Sequence, residues 1–206
     1  CSSLASIGDL SNVTSIGNSA FYNCSSLASI GDLPNVISIE NNAFDNCRSL
    51  VSIGDLSSLK EIPNGLFEGL SNLVSVGDLN DVTSIENSAF AGCDSLVNIG
   101  IMPGLISIGN YAFAGCSSLE NIGDMPNLTS IGEWAFGSYP ILDNEGNWIK
   151  NACCTSIKSI GNMPKLEIVG NSAFNNCSSL ASIGDMPNVT SIGNSAFGNC
   201  SSLASI

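Results

Sequence analysis

Large apolar residues return at a fixed spacing along this chain. The segment CSSLASIGDLSNVTSIGNSAFYN at residues 1–23 comes back as CSSLASIGDLPNVISIENNAFDN at residues 24–46. The same pattern runs through eight repeats and a stub that begins at Cys200. The spacing is 23 residues throughout, except that the sixth repeat holds 38, which is 15 more than the others. The repeats begin at Cys1, Cys24, Cys47, Leu70, Cys93, Cys116, Cys154 and Cys177.

Aligning the repeats turns each apolar position into a column. All eight phenylalanines fall in one of these columns: Phe21, Phe44, Phe67, Phe90, Phe113, Phe136, Phe174 and Phe197. A single repeat is too short to bury such a face, so its neighbours on either side must cover it. The pattern therefore predicts a solenoid of stacked 23-residue coils, with residues 1–206 forming one domain and an insertion at about 138–153.

Two segments of each coil are expected to be short parallel strands. They correspond to LASIG and VTSIG of the first repeat, which are rich in β-branched residues and bounded by Gly, Asp, Pro and Asn. The SAFxN segment that follows predicts a turn or a single helical turn, with its phenylalanine filling the core beneath.

Composition excludes several classes of function. The net charge is −13 with only five basic residues, so the clustered Lys and Arg of a nucleic-acid binder are missing. The chain has no histidine and no grouped nucleophile and base, which argues against an enzyme and predicts no cofactor. The chain contains no run of 18 apolar residues, so we expect no direct membrane insertion by this segment.

The repeat C-x-x-L-x-x-I-G-D-L/M-P-N-L/V-x-S-I-G-N-x-A-F-x-N resembles the BspA-type leucine-rich repeat. The resemblance lies in the L-x-x-I strand, the I-G-x-x-A-F segment and the Cys before the next C-x-x-L, and it covers the chain outside the insertion. It implies a β-rich leucine-rich-repeat fold without a catalytic motif. It also implies a surface or secreted protein that binds host proteins, extracellular matrix or other microbes.

Eight of the nine cysteines occupy the first position of a repeat, where the fourth repeat has Leu70. An apolar substitute favours a buried slot for a small hydrophobic side chain over a disulfide framework. Cys153 lies outside this column, beside the insertion, and is the best candidate for a disulfide or a reactive thiol.

A glycine and an acidic residue follow the first strand of most repeats. The glycine never varies, which suggests a positive φ or a close backbone approach. The next position is acidic in six repeats, Asn162 in the seventh and Ile101 in the fifth. The acidic column is either a structural turn or a weak candidate for Ca²⁺ between coils, and the candidate ligands are Asp9, Asp32, Asp55 and Asp78.

An asparagine column follows the second strand and contains Asn18, Asn41, Asn64, Asn87, Asn110, Asn171 and Asn194, with Glu133 in the sixth repeat. Asparagine tolerates the left-handed region and bonds its own backbone in turns. We therefore expect a structural turn at this position.

Aromatic residues outside the phenylalanine column mark a candidate partner-binding site: Tyr111, Trp134, Tyr139 and Trp148. Tyr111 and Trp134 share one repeat position, which places them in successive coils and within reach of a ring contact. Two apolar arms, residues 141–142 and 148–149, flank the turn-like DNEGN and predict a β-hairpin. The alternative is that Trp148 folds back and covers the break in the solenoid.

Two functions are compatible with these features. The first is a non-catalytic extracellular or cell-surface adhesion module that binds a protein or glycan on a host or neighbouring cell. The second is a structural repeat protein that assembles with itself into fibres or a surface layer.

Overall fold

The computed structural model describes residues 1–142 and 148–205, and it describes the backbone alone for residues 139–142 and 148–150. The chain winds into a β-solenoid of about 23 residues per coil with parallel strands. No helix occurs among the described residues, so the segment containing each phenylalanine consists of turns and not a helical turn. Consistently, none of the described residues forms a helix that is long and apolar enough to cross a membrane.

The strands of the coils are short, and the two longer strands belong to the insertion. In chain order the strands are β1 (Ser15–Ile16), β2 (Ser29–Ile30), β3 (Ser38–Ile39), β4 (Ser52–Ile53), β5 (Glu61–Ile62), β6 (Ser75–Val76), β7 (Ser84–Ile85), β8 (Ser107–Ile108), β9 (Asn121–Ile122), β10 (Ser130–Ile131), β11 (Tyr139–Leu142), β12 (Trp148–Ala152), β13 (Ser159–Ile160), β14 (Ile168–Val169), β15 (Ser182–Ile183) and β16 (Ser191–Ile192).

The strands of the coils form two sheet faces. The first face contains the sheets β2-β4-β6 and β9-β13-β15, and the second contains β1-β3 and the six strands β16-β14-β10-β8-β7-β5. Pairing is parallel and in repeat register, as in Ser84 opposite Ser107. The second face is interrupted between β3 and β5, where Pro63 occupies a position whose N–H otherwise donates to the preceding coil, as Glu86 does to Ile62. Proline has no N–H, so this bond is lost.

The segment around each phenylalanine forms turns and not a helix, because some of its N–H groups bond carbonyls of the same turn and others bond carbonyls of the next coil. Ala91, at the end of the fourth coil, and Cys93, which begins the fifth, donate to the carbonyls of Ser88 and Phe90 within the turn, at 3.0 and 3.1 Å. Phe90 itself donates to Ala112 of the next coil at 2.7 Å. Alternating local and inter-coil bonds fix the chain in turns and connect each coil to the next.

The phenylalanine column is the spine of the core, as predicted. The six interior phenylalanines are fully buried. Successive ring centroids lie 5.0 to 5.9 Å apart from Phe21 to Phe197. Because each ring contacts the ring above and the ring below, burial of every coil depends on its neighbours.

The cysteine column is also buried, which confirms the predicted slot for the interior coils. The thiol of Cys93 donates to the carbonyl of Phe67 at 3.0 Å, and the thiol of Cys154 donates to Phe113 at the same distance. Burial raises the pKa of the Cys154 thiol to about 12, although backbone hydrogen bonds with Cys116 and Gly115 partly offset that rise. Thiols held in this way are poor nucleophiles, because the reactive form is the thiolate.

Candidate functional site

The invariant glycine of the first face is required by close packing in most coils. A Cβ on Gly161 would lie 2.5 Å from the backbone N of Asp124 in the preceding coil, and one on Gly184 would lie 2.6 Å from the backbone N of Asn162. Gly100 alone in this column has a positive φ, at 68°. Close approach of the preceding coil therefore explains the glycine in most coils, and a positive φ is a further reason only at Gly100.

The acidic column caps backbone N–H groups. The carboxylates of Asp9 and Asp55 accept the N–H two residues ahead in their own turns, both at 2.8 Å. Asp32 instead accepts the N–H of Asp55 in the next coil at 3.0 Å. Asp78 occupies the same column in the fourth coil. No cluster of three potential metal-binding side chains occurs among the residues that the structure describes.

The asparagine column lies in the expected turn, but its side chains bond the next coil. The side-chain oxygen of Asn110 accepts the N–H of Glu133 in the next coil at 2.8 Å, and that of Asn171 accepts Asn194 at the same distance. The left-handed residue is the one that follows each asparagine. The predicted turn is therefore confirmed, but the side-chain oxygens of Asn110 and Asn171 reach the next coil, so the expected bond within the same turn was wrong.

Tyr111 and Trp134 occupy this left-handed position, with φ of 57° and 55°. Serine, asparagine or glycine holds the position in the other six repeats. Bulky residues are strained in the left-handed region, and strain of this kind is concentrated at functional sites. Tyr111 is 38 % exposed. Two successive coils thus carry a bulky aromatic residue in an unfavourable backbone conformation at the same position, and Tyr111 is exposed.

The two aromatic side chains do not form the ring contact that their spacing suggested. Within the described part of the chain, the ring contacts join phenylalanines only. Trp134 is half-buried, and its Cε3 lies 2.7 Å from where a Cβ on Gly137 would be. The Trp134 ring therefore covers its own turn, and Tyr111 remains the more accessible of the two.

The insertion forms the predicted antiparallel pair, β11 with β12. Tyr139 lies opposite Ala152, and Trp148 lies opposite Leu142, so the two aromatic residues are at opposite ends of the pair. Their side chains and residues 143–147 lie outside the described residues. Cys153 directly follows β12, and its sulfur is 3.2 Å from the Ser138 hydroxyl.

A groove of about 450 Å³ crosses the second face from the fourth to the seventh coil. Its lining includes Gly109, Gly132 and Gly170, together with Ser107, Ser130 and Ile168. Asn87, Asn110 and Asn171 of the asparagine column also line it, with Glu86 and Glu133. Sequence reasoning missed this groove, although the run of glycines where earlier coils have Glu40, Pro63 and Glu86 was a visible signal. Its volume falls within the range of ligand sites.

Comparison with known proteins agrees with this geometry. A family model described as a BspA type leucine rich repeat region matches in six copies, over residues 1–102, 61–144 and 147–206. A leucine-rich-repeat protein from T. pallidum shares the fold, with a TM-score of 0.63 and 22 % identity over 93 % of this chain and 72 % of that one. A leucine-rich-repeat protein from Bacteroides ovatus has a TM-score of 0.67 and 26 % identity. A search of curated proteins gave no match.

The Bacteroides ovatus match covers 95 % of this chain, which spans 58 % of the length of that protein. Leucine-rich-repeat arrays are generally protein-interaction modules, and the fold is typically non-catalytic. The repeat, the parallel coils and the family match agree along nearly the whole sequence. This chain belongs to the BspA-type leucine-rich-repeat family.

Proposed function

We propose that this chain is the ligand-binding array of an extracellular or cell-surface adhesion protein, with residues 1–206 acting as one domain. Its partner is a protein or glycan on a host or neighbouring cell. The groove lined by Gly109, Gly132 and Gly170, together with Tyr111 and Trp134, is the contact surface. Tyr139 and Trp148 of the insertion extend this surface.

The observation that carries this function is the placement of strained aromatic residues beside the groove. Tyr111 and Trp134 directly follow Asn110 and Glu133, which line it. Serine at the same positions would remove the steric cost of a bulky left-handed residue, so the aromatic rings are retained at the expense of stability. Aromatic rings are the residues that most often anchor a binding surface.

The test is binding of the purified chain to immobilised extracellular-matrix glycoproteins and to a glycan array, measured by biolayer interferometry. We expect binding to at least one member, and at least about a tenfold loss of affinity in a variant with Tyr111→Ser and Trp134→Ser. Ile168→Lys, which places a charged chain on the groove wall, should give a similar loss. Tyr22→Ser is the matched control, because Tyr22 is exposed in the first coil, away from the groove.

Unchanged affinity in both groove variants would move the site to another face. A chain that binds none of these ligands and sediments as a polymer would favour self-assembly instead. Deletion of residues 141–149 separately measures the contribution of the insertion, and thermal melting shows whether each variant keeps its fold.

A further inference from the structure

The groove on the second face has a regular period. Strands β7, β8, β10 and β14 pair in repeat register across its four coils, and the insertion between β10 and β14 leaves that register unchanged. The core beneath repeats as evenly, since successive ring centroids of Phe90, Phe113, Phe136 and Phe174 lie 5.1, 5.2 and 5.1 Å apart. Groups at one repeat position therefore recur along the groove at intervals of about 5 Å.

Three asparagine side chains in the groove lining have a fixed amide orientation. The side-chain oxygens of Asn87, Asn110 and Asn171 each accept a backbone N–H of the next coil at 2.8 Å. Within the described part of the chain, no hydrogen bond occupies their Nδ2 groups. Asn127 and Asn188, in another column, instead donate Nδ2 to a carbonyl of the preceding coil. The groove asparagines thus keep their amide donors for a ligand or for water.

Two carboxylates lie among these amides. Glu86 directly precedes Asn87 in the fourth coil, and Glu133 takes the asparagine position in the sixth coil. Among the described residues, neither carboxylate forms a hydrogen bond or an ion pair. Glu133 does not accept the N–H of Asn171, although Asn110 accepts that of Glu133. The groove therefore presents amide donors and carboxylate acceptors in one row.

Hydroxyl groups match this row, because one hydroxyl can donate to a carboxylate and accept from an amide. Anionic ligands are disfavoured, since Glu86, Glu133 and a net charge of −13 repel them. Apolar surface is present as well: Ile168 in the lining is 48 % exposed, and Tyr111, which follows Asn110, is 38 % exposed. A neutral sugar ring has both features that such a surface can bind, an edge of hydroxyls and a face of C–H groups.

The period of the groove distinguishes between polymers. An extended polypeptide advances about 3.4 Å per residue, or about 7 Å between side chains on one side, so it loses register with the coils. Each sugar of an extended β-1,4-linked pyranose chain advances by nearly one coil spacing. Such a glycan, laid along the groove, therefore meets an equivalent set of polar groups at every coil.

We propose that the groove binds a neutral, extended β-1,4-linked glycan with one sugar opposite each coil from the fourth to the seventh. The Nδ2 groups of Asn87, Asn110 and Asn171 donate to its hydroxyls, and the carboxylates of Glu86 and Glu133 accept from them. The glycan replaces the water that these exposed groups otherwise bind. This inference rests on the proposed function, because it names the ligand class of the same groove.

The experiment is a titration of the ¹⁵N-labelled chain with cellohexaose and, separately, with N-acetylchitohexaose, followed by amide chemical shifts. We expect saturable shifts of the side-chain amides of Asn87, Asn110 and Asn171. The side-chain amide of Asn188, which lies outside the groove, should not shift. Such shifts with either hexasaccharide would support the proposal, and saturable binding of neither would overturn it.

Two further ligands test the period and the charge of the site. Maltohexaose has the same glucose units as cellohexaose in a curved, α-linked chain, so it should bind at least about tenfold more weakly. A β-1,4-linked mannuronate hexasaccharide keeps the extended chain but adds carboxylates, which Glu86 and Glu133 should repel, so it should also bind at least about tenfold more weakly. Equal affinity for either of these ligands would contradict the proposed recognition.

Two variants remove groups that contact the ligand and keep the contacts between coils. Asn110→Asp keeps an acceptor for the N–H of Glu133 but has no Nδ2, so hexasaccharide affinity should fall at least about tenfold at a similar melting temperature. Glu133→Asn removes the carboxylate and restores the residue of the other repeats, so affinity should fall at least about fivefold while the melting temperature stays the same or rises. Asn194→Asp and Asp185→Asn are the matched controls, because both residues lie in the eighth coil outside the groove.

Failure of this inference differs in outcome from failure of the proposed function. Glycoprotein binding that Tyr111→Ser with Trp134→Ser abolishes, without binding of either hexasaccharide, would keep the groove as a binding site and reject the glycan as its ligand. Hexasaccharide binding that survives both Asn110→Asp and Glu133→Asn would reject the groove as the glycan site.

Discussion

The side-chain oxygen of Asn87 accepts the backbone N–H of Asn110 in the next coil at 2.8 Å. The carbonyl of the same Asn110 accepts the N–H of Ser88 at 2.9 Å. Two residues of the fourth coil thus bind both backbone groups of Asn110 in the fifth coil. The Asn87 side chain accepts its N–H, and Ser88, which has a left-handed backbone, donates to its carbonyl. This two-bond arrangement continues the ladder of the second face past the ends of its short strands.

Removing the acceptor should therefore weaken one inter-coil interface. Asn87→Ala leaves the N–H of Asn110 without a protein partner and should lower the free energy of unfolding by about 1 kcal/mol, measured by urea denaturation. Asn87→Asp keeps an acceptor of the same reach and should cost less. Equal losses in the two variants would contradict the role of the side-chain oxygen.

The phenylalanine column should carry a large share of the stability. Phe90 is fully buried, and its ring centroid lies 5.0 Å from Phe67 and 5.1 Å from Phe113. Phe90→Ala should cost about 3–5 kcal/mol in denaturant unfolding, because it removes a buried ring and leaves a cavity. Phe197→Ala, at a half-buried position, should cost clearly less. A loss below about 1 kcal/mol at Phe90 would refute its place in the core.

The aromatic residues with a left-handed backbone should lower the stability of the folded protein. Tyr111→Asn places at φ 57° a residue that tolerates this region, as Asn42 does in the second coil at 58°. The free energy of unfolding should rise by about 1 kcal/mol, and the melting temperature should rise with it. Ser88→Asn is the control and should change stability little. A destabilised Tyr111→Asn would mean that the ring contributes packing that outweighs the strain.

The cysteines of the column should react only after unfolding. A thiol assay on the denatured, unreduced protein should find most of the nine cysteines free. In the native protein the same reagent should label few of them, because six of the eight in the column are buried. A count that corresponds to four disulfides would rule out the buried-slot interpretation and reopen the role of Cys153.

Stability should fall in alkali for the same reason. Burial raises the pKa of Cys154 to about 12, whereas an unfolded thiol ionises near its ordinary value of 9.0. The unfolded state therefore loses protons first as the pH rises. Each such thiol should cost the native state about 1.4 kcal/mol per pH unit above 9, until its folded pKa is passed. The measurement compares unfolding at pH 7 and pH 10 in the parent chain and in Cys154→Ala, whose stability should depend less on pH.

Most of the fold was predictable from the sequence because the molecule is nearly one-dimensional. A residue 23 positions away is also the neighbour above or below, so the column containing Phe90 and Phe113 in the sequence is a column in space. The buried slot of Cys93 and the antiparallel pair of the insertion followed in the same way, from periodicity and from apolar arms around a turn. Stacking of identical coils converts sequence spacing directly into contact.

The tertiary structure decided which partner each polar group takes. Sequence rules describe a residue within its own turn, and they placed the asparagine side chains there, whereas the acceptor of Asn110 bonds Glu133 in the next coil. The same limit hid the left-handed geometry of Tyr111. Whether a backbone N–H has a hydrogen-bond acceptor depends on which residue the neighbouring coil places opposite it. Only the stacked coils show that Ile101 presents none to Asp124.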